Sequence, residues 1–238
     1  MIARIKRKLY KATHPVMGEI WMLHRVVEQR SEKPEQRELE VTPDWLEQKI
    51  LEYKQKGYTF ISIDDLSSLI TKHSSLSTKR FICVTFDDGY HDNYTLAYSL
   101  LKRLGVPFTV YVTTGFVDDR LPMWWYPEQR LGLSTDELKA LDADPLCTIG
   151  AHTVSHPKLD TLFYEEQYKE IADSKLELER LLGHPVQHFS FPHGAHNEDT
   201  LAICRELEFQ TVVQSWGGPI RKGVNYDVLP RINMTHND

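Results

Sequence analysis

The chain has 238 residues, 41% of them apolar, and a formal net charge of −6. That length suits one large domain with a full core, and the composition excludes a chain disordered throughout. The mild acidity argues against nucleic acid as the main partner, because phosphate backbones call for a basic surface.

In chain order, the first stretch, MIARIKRKLYKATHP, is positively charged but is followed by no apolar run, so it is not read as a secretion signal. Ile2, Ile5 and Leu9 among basic residues predict an N-terminal basic helix or extension over residues 1–18. Its simplest role is a solvated terminal helix packed on the domain. The alternative is a weak peripheral contact with an anionic membrane. No run of about 18 apolar residues occurs, so no transmembrane helix is expected. Residues 19–238 are predicted to form a single catalytic domain.

Strand and helix patterns then alternate. EIWMLHRV reads as a strand ending near His24. VTPDWLEQKILEYKQKG reads as a helix with proline at its start and Gly57 as its stop. YTFISI is a strand, DDLSSLITKH a helix, and RFICVTF a strand. HDNYTLAYSLLKRLG is a helix with Gly105 at its end. PFTVYVTT and LCTIGAH are strands, and the aromatic stretch MWWYPEQ is a loop between them. TLFYEEQYKEIADSKLELERLLG is the longest amphipathic helix. VQHFSFP, FQTVVQSW and DVLPRINM close the series as strands, with NEDTLAICRELE as a helix.

About seven such alternations predict an α/β chain of parallel strands with crossover helices. A closed or nearly closed barrel is the natural solution at this length. Chemistry in such barrels sits at the C-terminal ends of the strands. The polar residues directly after strands are His24, Asp87, Asp88, His152, His156, the FPHG segment, Trp216 and Arg231. The three cysteines are widely spaced, and Cys83 and Cys147 lie in apolar runs. They read as core residues in a reducing, cytoplasmic compartment.

RFICVTFDDGY ends a buried strand in two adjacent carboxylates, which calls for a cation or for full solvation. HTVSH places His152 and His156 four apart, on one face if the segment is helical. With 11 histidines in the chain that spacing alone says little, and HPVQH repeats it with His184 and His188. Position separates the pairs. His152 follows a strand, at the catalytic rim, whereas His184 precedes one, near the opposite rim. A carboxylate with two imidazoles is a common zinc set with one position open for water. HTVSH lacks the glutamate of HExxH, which disfavours a metalloprotease.

TFDDG followed by HTVSH resembles the polysaccharide deacetylases of carbohydrate esterase family 4, the nodulation-deacetylase homology domain. LHRV, TFDDGYHDNY and LPRI are similar to the branch that serves surface-polysaccharide synthesis. The resemblance runs from EIWMLHRV to LPRI. It implies a distorted seven-stranded parallel β/α barrel of the glycoside hydrolase/deacetylase type, and metal-dependent removal of acetyl groups from N-acetylated sugars. Carried over by motif, Asp88, His152 and His156 hold a divalent metal, zinc first among the candidates, and Asp87 is the general base. The family's third motif, of an Arg-Pro-Pro-Tyr-Gly type, is met loosely by FSFPHG. Pro192 keeps its place, and His193 replaces the tyrosine whose backbone N–H would receive the oxyanion.

The departures are specific. Ser190 stands where the motif's arginine would orient the base, and Arg231 in LPRI is the expected replacement, paired with Asp87. The late Leu-x-His motif that supplies a general acid is missing, which leaves His24 or His193 to protonate the amine, or each as a structural histidine. Trp124, Trp125 and Tyr126 are offered either as sugar platforms or as packing for a lid. Trp216 is offered as a wall of the acetyl pocket, although Gln214 and Ser215 replace the family's preceding acid. The expected activity is N-deacetylation of a sugar or glycan precursor. The alternatives are a sugar-binding relative without turnover and an O-acetyl esterase on the same site.

Overall fold

The computed structural model describes residues 13–71, 80–127 and 129–236. Most of the predicted N-terminal basic helix, residues 1–12, lies outside the described residues. Seven strands form the frame: β1 (Val16–Leu23), β2 (Phe81–Phe86), β3 (Phe108–Val112), β4 (Cys147–Ala151), β5 (His188–Ser190), β6 (Thr211–Gly217) and β7 (Leu229–Asn233). Each pairs in parallel with the next, and β1 pairs in parallel with both β2 and β7. The result is a closed, all-parallel seven-stranded barrel with helices outside it, the fold the alternation predicts.

The ring is uneven. β4 and β5 share one register pair, Ala151 with Phe189. Between β6 and β7 the register slips, so that Leu229 faces Val213 but Arg231 faces Gly217. Such irregularities re-aim side chains, and this one lies next to the polar end of the barrel. Two short strands hang on the ring: Thr59–Phe60 beside β2, and Ile220–Arg221, antiparallel, beside β1.

Along β2 every residue is buried, which is why the sequence shows an unbroken apolar run. The two faces still differ. Ile82, Val84 and Phe86 join the large core under the helices. Phe81 and Cys83 join a smaller cluster inside the ring with Ile20, Tyr111, Val213 and Leu229. The inward series therefore runs 81, 83, 85, 87, and it delivers Asp87 to the interior at the upper rim.

The helices follow their caps. α1 (Pro43–Gln55) starts at Thr42, whose hydroxyl accepts from the Trp45 N–H, and has proline in its first turn. α2 (Ile63–Thr71) sends Ile63 and Leu66 into the inner cluster and closes the lower end of the barrel. The helix predicted from His91 opens instead as a π-helical stretch, Asn93–Tyr98, before becoming α3 (Ser99–Leu104), which Gly105 ends at φ 61°. That wide start is where Asn93 donates to the His24 carbonyl at 2.8 Å and Asp92 accepts from the Val26 N–H at 3.0 Å. α4 (Thr135–Asp142) lies in a segment with no predicted helix. It is set by a capping box between Ser134 and Glu137 and buries Leu138 and Leu141. α5 (Tyr164–Leu182) buries Gln167, Ile171, Ser174 and Leu178 along one face, and α6 (Glu198–Glu206) is capped by Asn197.

His184 and His188 fall away from the upper rim, as their position implies. His184 is exposed beside Asp142, and His188 is buried between Thr211 and Asp64. The three cysteines are free and buried. Among the described residues no helix is long and apolar enough to cross a membrane.

Candidate active site

β2 ends at Phe86, and the Asp87 N–H still donates to the Leu23 carbonyl at 2.9 Å, extending the strand by one bond. The chain then turns at Asp88 itself, with φ 75°, and again at Gly89, with φ 80°. Aspartate tolerates this left-handed region better than most residues. The turn therefore begins one residue before Gly89. This breaks the strand alternation and brings both carboxyls to one cavity.

HTVSH is not helical. It leaves β4 as an extended loop, with Thr153 at φ 66° and His156 at φ 64°. The helical premise for the four-residue spacing is corrected accordingly. The loop nevertheless brings both rings to Asp88: His152 Nε2 lies 3.4 Å and His156 Nε2 3.2 Å from Asp88 Oδ1. One ligand atom from each residue lies within 4.8 Å of the others, and all three residues are buried. His152 Nδ1 lies 2.7 Å from the Ser190 carbonyl, which can only accept, so Nδ1 is the donor there and Nε2 is the ring atom turned to Asp88. A buried carboxylate oxygen flanked by two imidazole nitrogens is a donor set that fits a divalent metal. Burial pushes the Asp88 carboxyl up, but the two imidazoles outweigh it and hold the group well below the usual range.

Asp87 meets a different cation. Arg231 donates from Nη1 to Asp87 Oδ1 at 2.7 Å and from Nη2 to Oδ2 at 2.5 Å. The same guanidinium donates to Thr85 Oγ1, to Ser190 Oγ and, through Nε, to the Gln214 carbonyl. All five of its N–H bonds are thus accepted, with no exposed surface left on the residue. Ser190, at the place of the motif arginine, also donates to Asp87 Oδ2 at 3.2 Å. Burial pushes the Asp87 carboxyl up, and Arg231 with His152 pulls it below its ordinary value. The carboxylate is ionised at neutral pH.

These groups open into a cavity of about 510 Å³. His24, Asp87, Asp88, His152, His156 and His193 form its floor, Lys33, Gln36 and Leu39 one wall, and Trp124, Trp125 and Pro127 another. Burial lowers the His24 imidazole despite the two nearby aspartates. His193, at φ 56° in the turn that Pro192 opens, is lowered to about 4 by burial and by the neighbouring histidines. Both rings are therefore neutral at neutral pH.

The aromatic stretch divides by role. Tyr126 is buried, with its hydroxyl 2.9 Å from Glu40. Trp125 packs its ring 4.9 Å from that of His156 and donates from Nε1 to the Tyr90 hydroxyl at 2.7 Å. Trp124 is 69% exposed and presents an open ring at the mouth. Trp216 does not line this cavity, whereas Ser215 does. The Trp216 indole covers Gly194, where a Cβ would come within 2.7 Å of its ring. Sequence reasoning did not select Tyr90, Thr85 or the wall around Gln36. The Tyr90 hydroxyl accepts from Trp125 Nε1, and burial together with the nearby Asp88 charge keeps the phenol protonated. Its place in DDGY carries no separate signal.

A family profile described as polysaccharide deacetylase matches residues 75–212. YxkH of Bacillus subtilis (strain 168), whose name assigns it to the polysaccharide deacetylases, is 26% identical over 225 residues, 94% of this chain and 74% of that protein. The peptidoglycan-N-acetylmuramic acid deacetylase PdaA of the same strain is 28% identical over 182 residues, 72% of this chain and 64% of that protein. Among solved structures, the Streptococcus pyogenes deacetylase PplD in complex with acetate aligns with a TM-score of 0.78 at 26% identity, covering 94% of each chain.

Proposed function

This chain belongs to the polysaccharide deacetylase family, and from that premise we propose that it is a metal-dependent N-deacetylase acting on an N-acetylated sugar of a glycan or glycan precursor. The observation that carries the reading is the division of the two adjacent aspartates. Asp88 faces two imidazoles within 3.4 Å, whereas Asp87, 4.0 Å from the nearer of them, is bound on both oxygens by a guanidinium. Asp88, His152 and His156 would hold the metal, zinc before other divalent ions. When bound, such an ion lowers the pKa of water toward neutrality and polarises the amide carbonyl.

The residues of the chain supply the rest. Asp87, ionised and fixed by Arg231 and Ser190, accepts the proton of the attacking water. The backbone N–H of His193 is offered to the oxyanion from the turn at Pro192. His24 and His193 are both neutral at neutral pH, so neither starts as an imidazolium acid. The proton taken by Asp87 is then the one passed to the departing nitrogen. The products are acetate and the free amine. Trp124 is the group best exposed to stack on a sugar ring.

The test measures metal content together with acetate release from N-acetyl and O-acetyl sugars. Asp87→Asn is expected to retain the metal and lose acetate release. Metal-loaded protein that releases no acetate from either class of sugar would replace this reading with a sugar-binding one. Release from O-acetyl sugars alone would make the chain an esterase.

A further inference from the structure

We infer that Glu170 of α5 is a positioning residue for the metal site, setting the place of His156 through the backbone of the loop that carries it. The inference rests on the metal reading of Asp88, His152 and His156. The two histidines are not held alike. The His152 ring is fixed by its Nδ1 bond to the Ser190 carbonyl at 2.7 Å. His156 Nδ1 is buried and has no hydrogen-bond partner among the described residues. Metal-ligating histidines are normally oriented through that second nitrogen. His156 must take its orientation from ring packing and from its backbone.

That backbone is clasped from two sides. Thr153, at φ 66°, turns the following N–H groups to one face of the loop, which makes a small concavity of donors suited to an anion. Glu170 occupies it. Its Oε2 accepts from the Val154 N–H and the Ser155 N–H, each at 2.9 Å, and its Oε1 accepts from the Ser155 hydroxyl at 2.7 Å. On the other face, the Thr153 and Val154 carbonyls accept from the Thr114 and Gly115 N–H groups at 3.1 and 2.8 Å. The Gly115 side cannot yield, since a Cβ there would come 2.5 Å from the Val154 oxygen. One side of the clasp is thus main chain following β3, and the other is a single side chain. His156 is the residue that follows, and its own N–H is bound to Thr153 Oγ1 at 3.1 Å. Glu170 does for His156, through three loop donors, what Ser190 does for His152 through the ring.

The experiment titrates metal-free protein with Zn²⁺ or Co²⁺ calorimetrically, for wild type and for Glu170→Ala, Glu170→Gln and Glu170→Asp. Glu170→Ala is expected to weaken metal binding by about 10–100-fold, the usual cost of losing an outer-shell partner. Glu170→Gln keeps the reach. Its oxygen accepts both N–H groups and its amide donates to Ser155, so its affinity stays close to wild type. Glu170→Asp keeps the charge on a stem one methylene shorter and is expected to bind metal more weakly than Glu170→Gln. The reverse order would reduce Glu170 to a distant charge and overturn the positioning role. So would wild-type affinity in Glu170→Ala. If Glu170→Ala does not fold, the glutamine and aspartate variants decide alone. A wild-type chain that binds neither ion removes the metal reading itself. A wild type that binds, beside variants that bind equally well, removes only the part assigned to Glu170.

Discussion

Arg231→Ala is the sharpest perturbation the structure offers. Arg231 is fully buried, and its guanidinium makes two of its five hydrogen bonds to Asp87. Truncation leaves a buried carboxylate with only the Ser190 hydroxyl, and leaves the Gln214 carbonyl without this donor. Breaking one side of a buried pair costs about 3–5 kcal/mol, far more than a surface ion pair contributes. The protonation of Asp87 changes too. Its carboxyl lies below the ordinary range, so the stability it carries is full above that range and is lost as pH falls below it, through the group's own lowered value. Without the guanidinium the carboxyl should rise. The acid limb of kcat/KM for acetate release should move to higher pH with it. Arg231→Lys keeps a charge without the fork and should fall between. Unfolding of Arg231→Ala, Asp87→Asn and the double variant completes the cycle. In the Asp87→Asn background the arginine truncation should cost less, because no unpaired charge is left behind. Unchanged turnover with an unmoved acid limb, or an equal cost in both backgrounds, would refute the reasoning.

Trp124→Ala should raise KM by roughly two- to tenfold with kcat and melting temperature unchanged, as expected for a ring worth about 0.5–1.5 kcal/mol of stacking. Trp125→Ala should instead lower the melting temperature, because that indole packs against His156 and binds Tyr90. Ser190→Ala, which keeps the bidentate pair but removes a shared hydroxyl, should cost about 1 kcal/mol of stability and reduce turnover less than Arg231→Ala does. Asp144, far from the site, is held at about 2 by Lys102, Tyr98 and the Leu146 N–H. Its contribution is present above the ordinary carboxylate range and fades as pH falls toward 2. Asp144→Ala should cost about 1–2 kcal/mol in urea unfolding at neutral pH, a figure reduced because Lys102 is half exposed, and the gap should close in acid.

The barrel was legible because each strand is a short apolar run closed by a turn signal, and because the candidate chemistry falls where those runs end. TFDDG and HTVSH mark their places on β2 and β4 without reference to three dimensions. What escaped depends on backbone direction. An Asp-Asp-Gly run offers its glycine as the turn, yet Asp88 takes the first left-handed residue. The four-residue spacing would put His152 and His156 on one face only in a helix, whereas a loop with two left-handed residues brings them together. α4 is eight residues long and gives little periodicity, although Ser134 and Glu137 carried a capping signature that was there to be read. Arg231 was offered for Asp87 because an arginine was missing elsewhere. Its five-acceptor cradle arises from the register slip between β6 and β7, which no local pattern displays.

β7 has a second property beyond carrying that arginine. It lies between β1 and β6 and completes the ring, and in chain order it follows the other six strands of that ring. A chain folded only as far as β6 has an open sheet edge on either side of the gap, and its first aspartate lacks the guanidinium that aims it. Ring closure supplies the missing hydrogen-bonded edges and the guanidinium in one event. The aimed base and the finished barrel therefore appear together.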